Sequence, residues 1–283
     1  MERRNHTLSV NGLALHCTEW GPLHGRPLVM LHGIRGYGET FAGLAAALPP
    51  GWRAIAFDQR GRGDSAWDPS WQYHTAAYVA DLAGVVGQLG LDRFTLLGHS
   101  MGGINAIVYA SQQPERVERL IIEDAGPGAF EDSPGATRIR QELATTPVRF
   151  DSWAAAADYM RALRPTVSED ARQQRLRHML KPDPQGDGQG WTWRYDQAGI
   201  AATRLNPPPG SVVDLRPHVE RLRCPTLVLR GGRSDYLQPA MAQAMADANP
   251  RLRWQTIADA GHYVHDDQPQ AFHDAVLGFL AEV

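Results

Sequence analysis

The chain has 283 residues, 43% of them hydrophobic, a formal net charge of -3 and two cysteines. That length and apolar content suffice for one substantial core with an inserted segment, and the near-neutral charge gives no drive toward nucleic acid or an anionic membrane. Cys17 and Cys224 are too few for a disulfide framework, no stretch approaches the ~18 apolar residues of a membrane span, and the first residues lack the apolar region of a secretory signal, so the expectation is a cytoplasmic protein with no nucleic-acid or membrane partner.

Residues 7–10 and 13–19 read as two strands around Asn11-Gly12, a dipeptide suited to a type I′ hairpin turn. Residues 27–31 form a short apolar strand that ends in His32-Gly33-Ile34-Arg35-Gly36, and a helix is predicted over 39–48. A strand at 53–57 leads into Asp58-Gln59-Arg60-Gly61-Arg62-Gly63-Asp64-Ser65, followed by a helix over 75–89. The next apolar run, 94–97, passes into Gly98-His99-Ser100-Met101-Gly102-Gly103 and then into helical spacing from 104 to 111. A further strand is predicted at 119–123. Alternation of strand and helix implies parallel pairing with right-handed crossovers, hence an α/β class with a mostly parallel, doubly wound sheet.

From about 126 to 217 the alternation stops. Helical periodicity covers 153–163 and 169–180, 181–190 reads as a Pro-, Gly- and Asp-rich loop, and Asn206-Pro207-Pro208-Pro209-Gly210 closes the stretch. The prediction is a core of residues 1–126 and 218–283 with a helical cap inserted at 127–217. Strands at 225–229 and 253–257 and a helix over 270–280 complete the core.

The Gly-x-Ser-x-Gly stretch lies between a strand and a helix, which is the context a nucleophile elbow needs: a sharp turn strains the serine backbone, and only small neighbours leave room for it. Three further motifs accompany it in order: His32-Gly33 at a strand end, the Asp58-to-Ser65 loop, and Gly261-His262 with Asp267 and Pro269. Together they resemble the α/β-hydrolase fold family across nearly the whole chain. The resemblance implies a serine hydrolase with a helical cap and no cofactor or metal, since His262, His265 and Asp266 lie too close in one loop to converge on an ion.

Under that resemblance Ser100 is the nucleophile, and His262 the base a hydroxyl needs. Two carboxylates compete to orient the imidazole. Asp235 is preferred, because Gly232-x-x-Asp235 matches the commoner family position; Asp124, in Asp124-Ala125-Gly126-Pro127, is the alternative, since some relatives pair such a stretch with a turn like Arg230-Gly231-Gly232-Arg233-Ser234. Backbone N–H groups of Ile34 and Met101 are expected to form the oxyanion hole. His32, Gly33, Arg35, His99, Trp191 and Trp193 are the substrate-binding candidates, with the tryptophans lining an apolar pocket under the cap.

The implied reaction is cleavage of a carboxylic ester, lactone or related acyl bond of a small, partly apolar substrate. The alternatives are carbon–carbon bond hydrolysis or perhydrolysis on the same residues, and a binding protein that has lost turnover. With His262 as base, the rate is expected to rise along a limb at about pH 6–7. A homodimer is the oligomer to consider.

Overall fold

The structure is a computed structural model; it describes residues 2–128, 134–165, 167–184 and 190–282. Its main sheet has eight strands: β1 (Arg3–Val10), β2 (Leu13–Trp20), β3 (Arg26–Leu31), β4 (Trp52–Phe57), β5 (Phe94–His99), β6 (Val117–Glu123), β10 (Thr226–Gly231) and β11 (Leu252–Ile257). The spatial order is β1-β2-β4-β3-β5-β6-β10-β11. All neighbours pair in parallel except β1 with β2 and β2 with β4. The antiparallel edge arises where the sequence places it: Asn11 and Gly12 both adopt positive φ, 50° and 78°, as a type I′ turn requires.

The central strands are covered on both faces, which is why they read as continuous apolar runs rather than alternating ones. On one face Leu82, Val85 and Val86 of the helix Thr75–Gln88 join Ile104 and Ile107 of the helix Met101–Gln112. On the other, Phe272, Val276 and Phe279 of the closing helix Pro269–Ala281 pack with Phe41 and Leu44. The helix predicted over 39–48 divides into a 3-10 turn, Gly38–Phe41, and a six-residue α-helix, Ala42–Ala47.

Between β6 and β10 lie the helices Pro134–Thr145, Trp153–Leu163, Glu169–Met179 and Gln197–Leu205, which share an apolar cluster of their own that includes Ile139, Leu143, Met160, Leu176, Trp193 and Ile200. Here the structure departs from the sequence-based expectation of helices and loops alone. β7 (Arg149–Phe150), β8 (Leu180–Pro182) and β9 (Trp191–Trp193) form a second sheet, ordered β7-β9-β8. Strands of two or three residues are too short to show an alternating pattern, so packing alone creates them. Of the loop predicted at 181–190, residues 185–189 lie outside the described residues, as do 129–133 of the inserted stretch.

Candidate active site

Parallel pairing brings the chemistry to one edge of the sheet. In the β5–β6 ladder His99 stands opposite Glu123, so the next residues, Ser100 and Asp124, leave adjacent strands side by side. Both are strained: Ser100 has φ 53° and ψ -117°, and Asp124 has φ 46°. Non-glycine residues with positive φ are uncommon, and strain persists only where surrounding bonds over-determine it. Here the Ser100 N–H donates to the Glu123 carbonyl at 2.9 Å and the Asp124 N–H to the Leu229 carbonyl at 2.8 Å. The glycines around the serine answer to crowding. A Cβ on Gly98 would lie 2.3 Å from the Gly102 carbonyl oxygen, and one on Gly102 would lie 2.2 Å from that of Leu31.

His262 comes from the loop beyond β11. Its Nε2 is 2.8 Å from Ser100 Oγ and its Nδ1 2.7 Å from Asp124 Oδ2. With the ring proton on Nδ1 donated to the carboxylate, Nε2 is free to accept from the serine hydroxyl. Asp124 is fully buried and accepts two further bonds: Oδ1 from the Gly231 N–H at 3.0 Å, and Oδ2 from Ser234 Oγ at 2.5 Å. Burial raises the Asp124 carboxyl above its ordinary value, against those two donors.

Asp235, the preferred acid in the sequence reading, is not at His262. It forms a bidentate pair with Arg138, at 2.8 Å for each bond, and its side chain keeps 37% of its exposure. The reason is local. The turn from Gly231 to Ser234 closes with a Ser234 N–H bond to the Gly231 carbonyl, which points Ser234 at Asp124 and leaves the following side chain facing the helix Pro134–Thr145. Ser234 itself was not singled out from sequence, although it occupies the Ser position of the Arg-Gly-x-x-Ser turn.

A cavity opens over Ser100. Ile34 and Met101 line it with Ser100, so both expected backbone donors border the space where a reacting group would sit. Met101 opens the helix Met101–Gln112, whose first N–H groups have no intrahelical acceptor. Ile34 is fixed from behind, its carbonyl accepting from Arg62 Nε at 2.8 Å. Tyr73, Tyr78, Ile104, Ile139, Ile200 and Tyr236 supply most of the apolar wall. Tyr236 also lies against His262, ring centroids 4.4 Å apart. None of these six carries a motif, because they converge only after folding.

Trp191 and Trp193 are corrected accordingly: neither lines the Ser100 cavity. Trp193 is buried in the inserted segment's core, its Nε1 donating to the Pro147 carbonyl at 2.6 Å, and Trp191 packs edge-on against Trp153. His32 is also no substrate contact. It is wholly buried, accepting from the Gln59 N–H through Nε2 at 3.0 Å and donating from Nδ1 to the Gly33 carbonyl at 2.8 Å. His99 supports the loop from below, with Nε2 donating to the His262 carbonyl at 2.9 Å. Gly33, Arg35 and His99 line a second cavity, together with Trp193.

Burial holds the His262 imidazole below its ordinary value, and the Arg138 and Arg164 guanidiniums push it the same way. A base acts in its neutral form, so a lowered pKa extends activity toward acid. The acid limb of kcat/KM is therefore expected below the ordinary imidazole value of about 6.5, rather than at it. A pH–rate profile with chemistry rate-limiting checks this, and a limb at or above that value would contradict it.

A model of the α/β hydrolase fold family matches residues 26–269. The chain is 33% identical over 265 residues to the sn-1-specific diacylglycerol lipase ABHD11 of Mus musculus, covering 90% of this chain and 80% of that protein. It is 29% identical over 282 residues to a putative 2-succinyl-6-hydroxy-2,4-cyclohexadiene-1-carboxylate synthase of Bacillus subtilis (strain 168), covering 99% and 98%. The crystal structure of an E-2-(acetamidomethylene)succinate hydrolase superposes with a TM-score of 0.85 at 24% identity, over 99% of this chain and all of that one. Sheet order, strand-end residues and the family match agree: the chain belongs to the α/β-hydrolase fold family and is a hydrolytic enzyme of it.

Proposed function

We propose that this enzyme is a serine hydrolase that cleaves a carboxylic ester or related acyl bond through an acyl-enzyme, with Ser100 as nucleophile, His262 as general base and then acid, and Asp124 as the orienting carboxylate. The observation that carries the reading is the continuous hydrogen-bonded chain from Ser100 Oγ through His262 to Asp124, at 2.8 and 2.7 Å, opening on a largely apolar cavity. Attack by Oγ on the acyl carbon passes its proton to Nε2; the tetrahedral oxyanion is met by the Ile34 and Met101 N–H groups; collapse expels the alcohol, which takes the proton back from Nε2. Water then repeats the sequence and releases the acid. Asp124 stabilises the imidazolium without itself taking the proton.

Gly33 and Arg35, on either side of Ile34, line the second cavity, and acyl selection is assigned to the apolar wall of the Ser100 cavity and to the inserted segment, which contributes Ile139 and Ile200. Ile200→Ala is expected to change the ranking of kcat/KM across a series of p-nitrophenyl esters of increasing acyl length by about tenfold, the effect of one pocket contact. Trp193→Ala is expected to leave that ranking unchanged and to lower stability instead, by about 3–5 kcal/mol for a buried aromatic. A steady-state panel with a melting curve reads both. No turnover of any ester, with no labelling by a fluorophosphonate, would remove the acyl-hydrolase reading, and cleavage of a 1,3-diketone in place of every ester would move it to carbon–carbon hydrolysis.

A further inference from the structure

The second cavity lies on the far side of the loop 33–35 from Ser100: Gly33 and Arg35 line it, while Ile34 between them lines the first. The two are close. A Cβ on Gly33 would lie 3.4 Å from the Ser100 Cβ.

Arginine dominates the second cavity, with Arg35, Arg164 and Arg175 in its wall. The nearby carboxylates are already committed. Glu142 takes both Arg35 and Arg138, Arg138 is also held by Asp235, and Arg175 pairs with Asp266. Glu123 accepts from the N–H and Nδ1 of His265, at 2.9 and 2.7 Å, and Asp267 accepts from the Gly261 N–H at 2.8 Å. No carboxylate among the described residues pairs with Arg164. Its guanidinium instead stacks on Tyr263, 3.0 Å from Cζ to the ring centroid. A second donor is also unused: Arg35 is 92% buried, yet its Nε has no hydrogen-bond partner among the described residues.

The guanidiniums of this wall register on Tyr263. Burial alone would raise the Tyr263 phenol, but Arg164 and Arg35 bring it below its ordinary value. Burial lowers the Arg164 guanidinium; Tyr263, and more weakly Asp267 and Glu142, oppose that, and Arg35 reinforces it. His99 and His265 add no charge, since burial keeps both imidazoles neutral. A guanidinium with no carboxylate in contact, facing a cavity, is a site for a planar anion, and its fork matches a carboxylate.

We infer that this cavity binds a carboxylate carried by the substrate itself, with Arg164 as the counter-ion and Arg35 Nε as a further donor, so that the enzyme acts on esters or related acyl compounds of acidic molecules. The inference rests on the acyl-hydrolase reading and narrows its substrate class. Neither Arg164 nor the cavity emerges from sequence: the residue lies at the end of the helix Trp153–Leu163 and meets Arg35 and Tyr263 only in the folded chain.

The test compares monomethyl with dimethyl esters of succinate, glutarate and adipate, which differ by one charge. The wild-type enzyme is expected to prefer the monomethyl form of at least one acid by about tenfold or more in kcat/KM, and Arg164→Gln to lose that preference, chiefly through KM. Rates are taken at about pH 8, above the His262 limb, so that the lost field of Arg164 on the base does not enter. Arg164→Lys, which keeps the charge without the fork, is expected to retain part of the preference, and it stands in should the glutamine variant not fold. Preference for the dimethyl form at all three lengths, or an unchanged ratio in a folded Arg164→Gln protein that still takes a fluorophosphonate at Ser100, overturns the inference. Should no ester be turned over and Ser100 take no label, the acyl-hydrolase reading falls separately. Calorimetry with glutarate then decides the cavity by itself: binding lost in Arg164→Gln keeps the carboxylate site, and absent or equal binding removes it.

Discussion

Ser100→Ala is expected to reduce kcat on ester substrates by on the order of 10⁶-fold, the loss found when a serine nucleophile of this kind is removed. The residual rate would be that of water attack on an acyl group held by the Ile34 and Met101 donors. The variant is expected to stay folded, because the strained turn is held by backbone bonds rather than by the Ser100 hydroxyl; alanine at φ 53° carries the same strain as serine. Steady-state kinetics of the purified variant, with intact-mass analysis after fluorophosphonate treatment, reads the result. Turnover above about 1% of wild type, or a phosphonate adduct on a different serine, would place the nucleophile elsewhere.

Asp124→Asn and Asp235→Asn are expected to part widely. In Asp124→Asn the amide presents to His262 Nδ1 a group that no longer demands the Nδ1–H tautomer and no longer stabilises the imidazolium, and a loss of about 10⁴-fold in kcat is expected. Asp235→Asn breaks a half-exposed pair with Arg138, an interaction worth no more than about 1 kcal/mol at such a position. Its kcat is expected within about threefold of wild type, because the carboxylate contacts neither Ser100 nor His262 and because its field on a base already held neutral is inconsequential. Parallel kinetics on the two variants at one pH is sufficient. If Asp235→Asn proved the more damaging, the orienting role would return to the carboxylate after β10, and the Asp124 bond to His262 would be structural.

Ser234 belongs to the same group. Its hydroxyl shares Oδ2 of Asp124 with His262 and also accepts from the Tyr236 N–H at 3.1 Å, so it aims the carboxylate and holds Tyr236 against the imidazole. The turn that commits Ser234 to Asp124 is what releases Asp235 to Arg138. The choice of acid is thus a property of one turn and one strand-end conformation together, rather than of either carboxylate.

The sequence by itself determined the fold class and singled out the serine and histidine that the structure brings within 2.8 Å of each other. Buried parallel strands must be apolar throughout, a sharp strand-to-helix turn must have glycine where neighbouring carbonyls approach within contact, and Asn11-Gly12 must open a hairpin; each constraint acts over a few adjacent residues and so is written in them. It also placed both carboxylates at strand ends. Which of them meets His262 was left to the tertiary structure, because positive φ at Asp124 and the closing of the Gly231–Ser234 turn depend on β6 and β10 lying side by side, residues more than a hundred positions apart. The same holds for the cavities. Ile139, Ile200, Tyr236, Arg164 and Arg35 come from segments with no common period, Trp191 and Trp193 turn inward to form a small sheet too short to leave a pattern, and Arg164 is left without a paired carboxylate only by the way the segments around it fold.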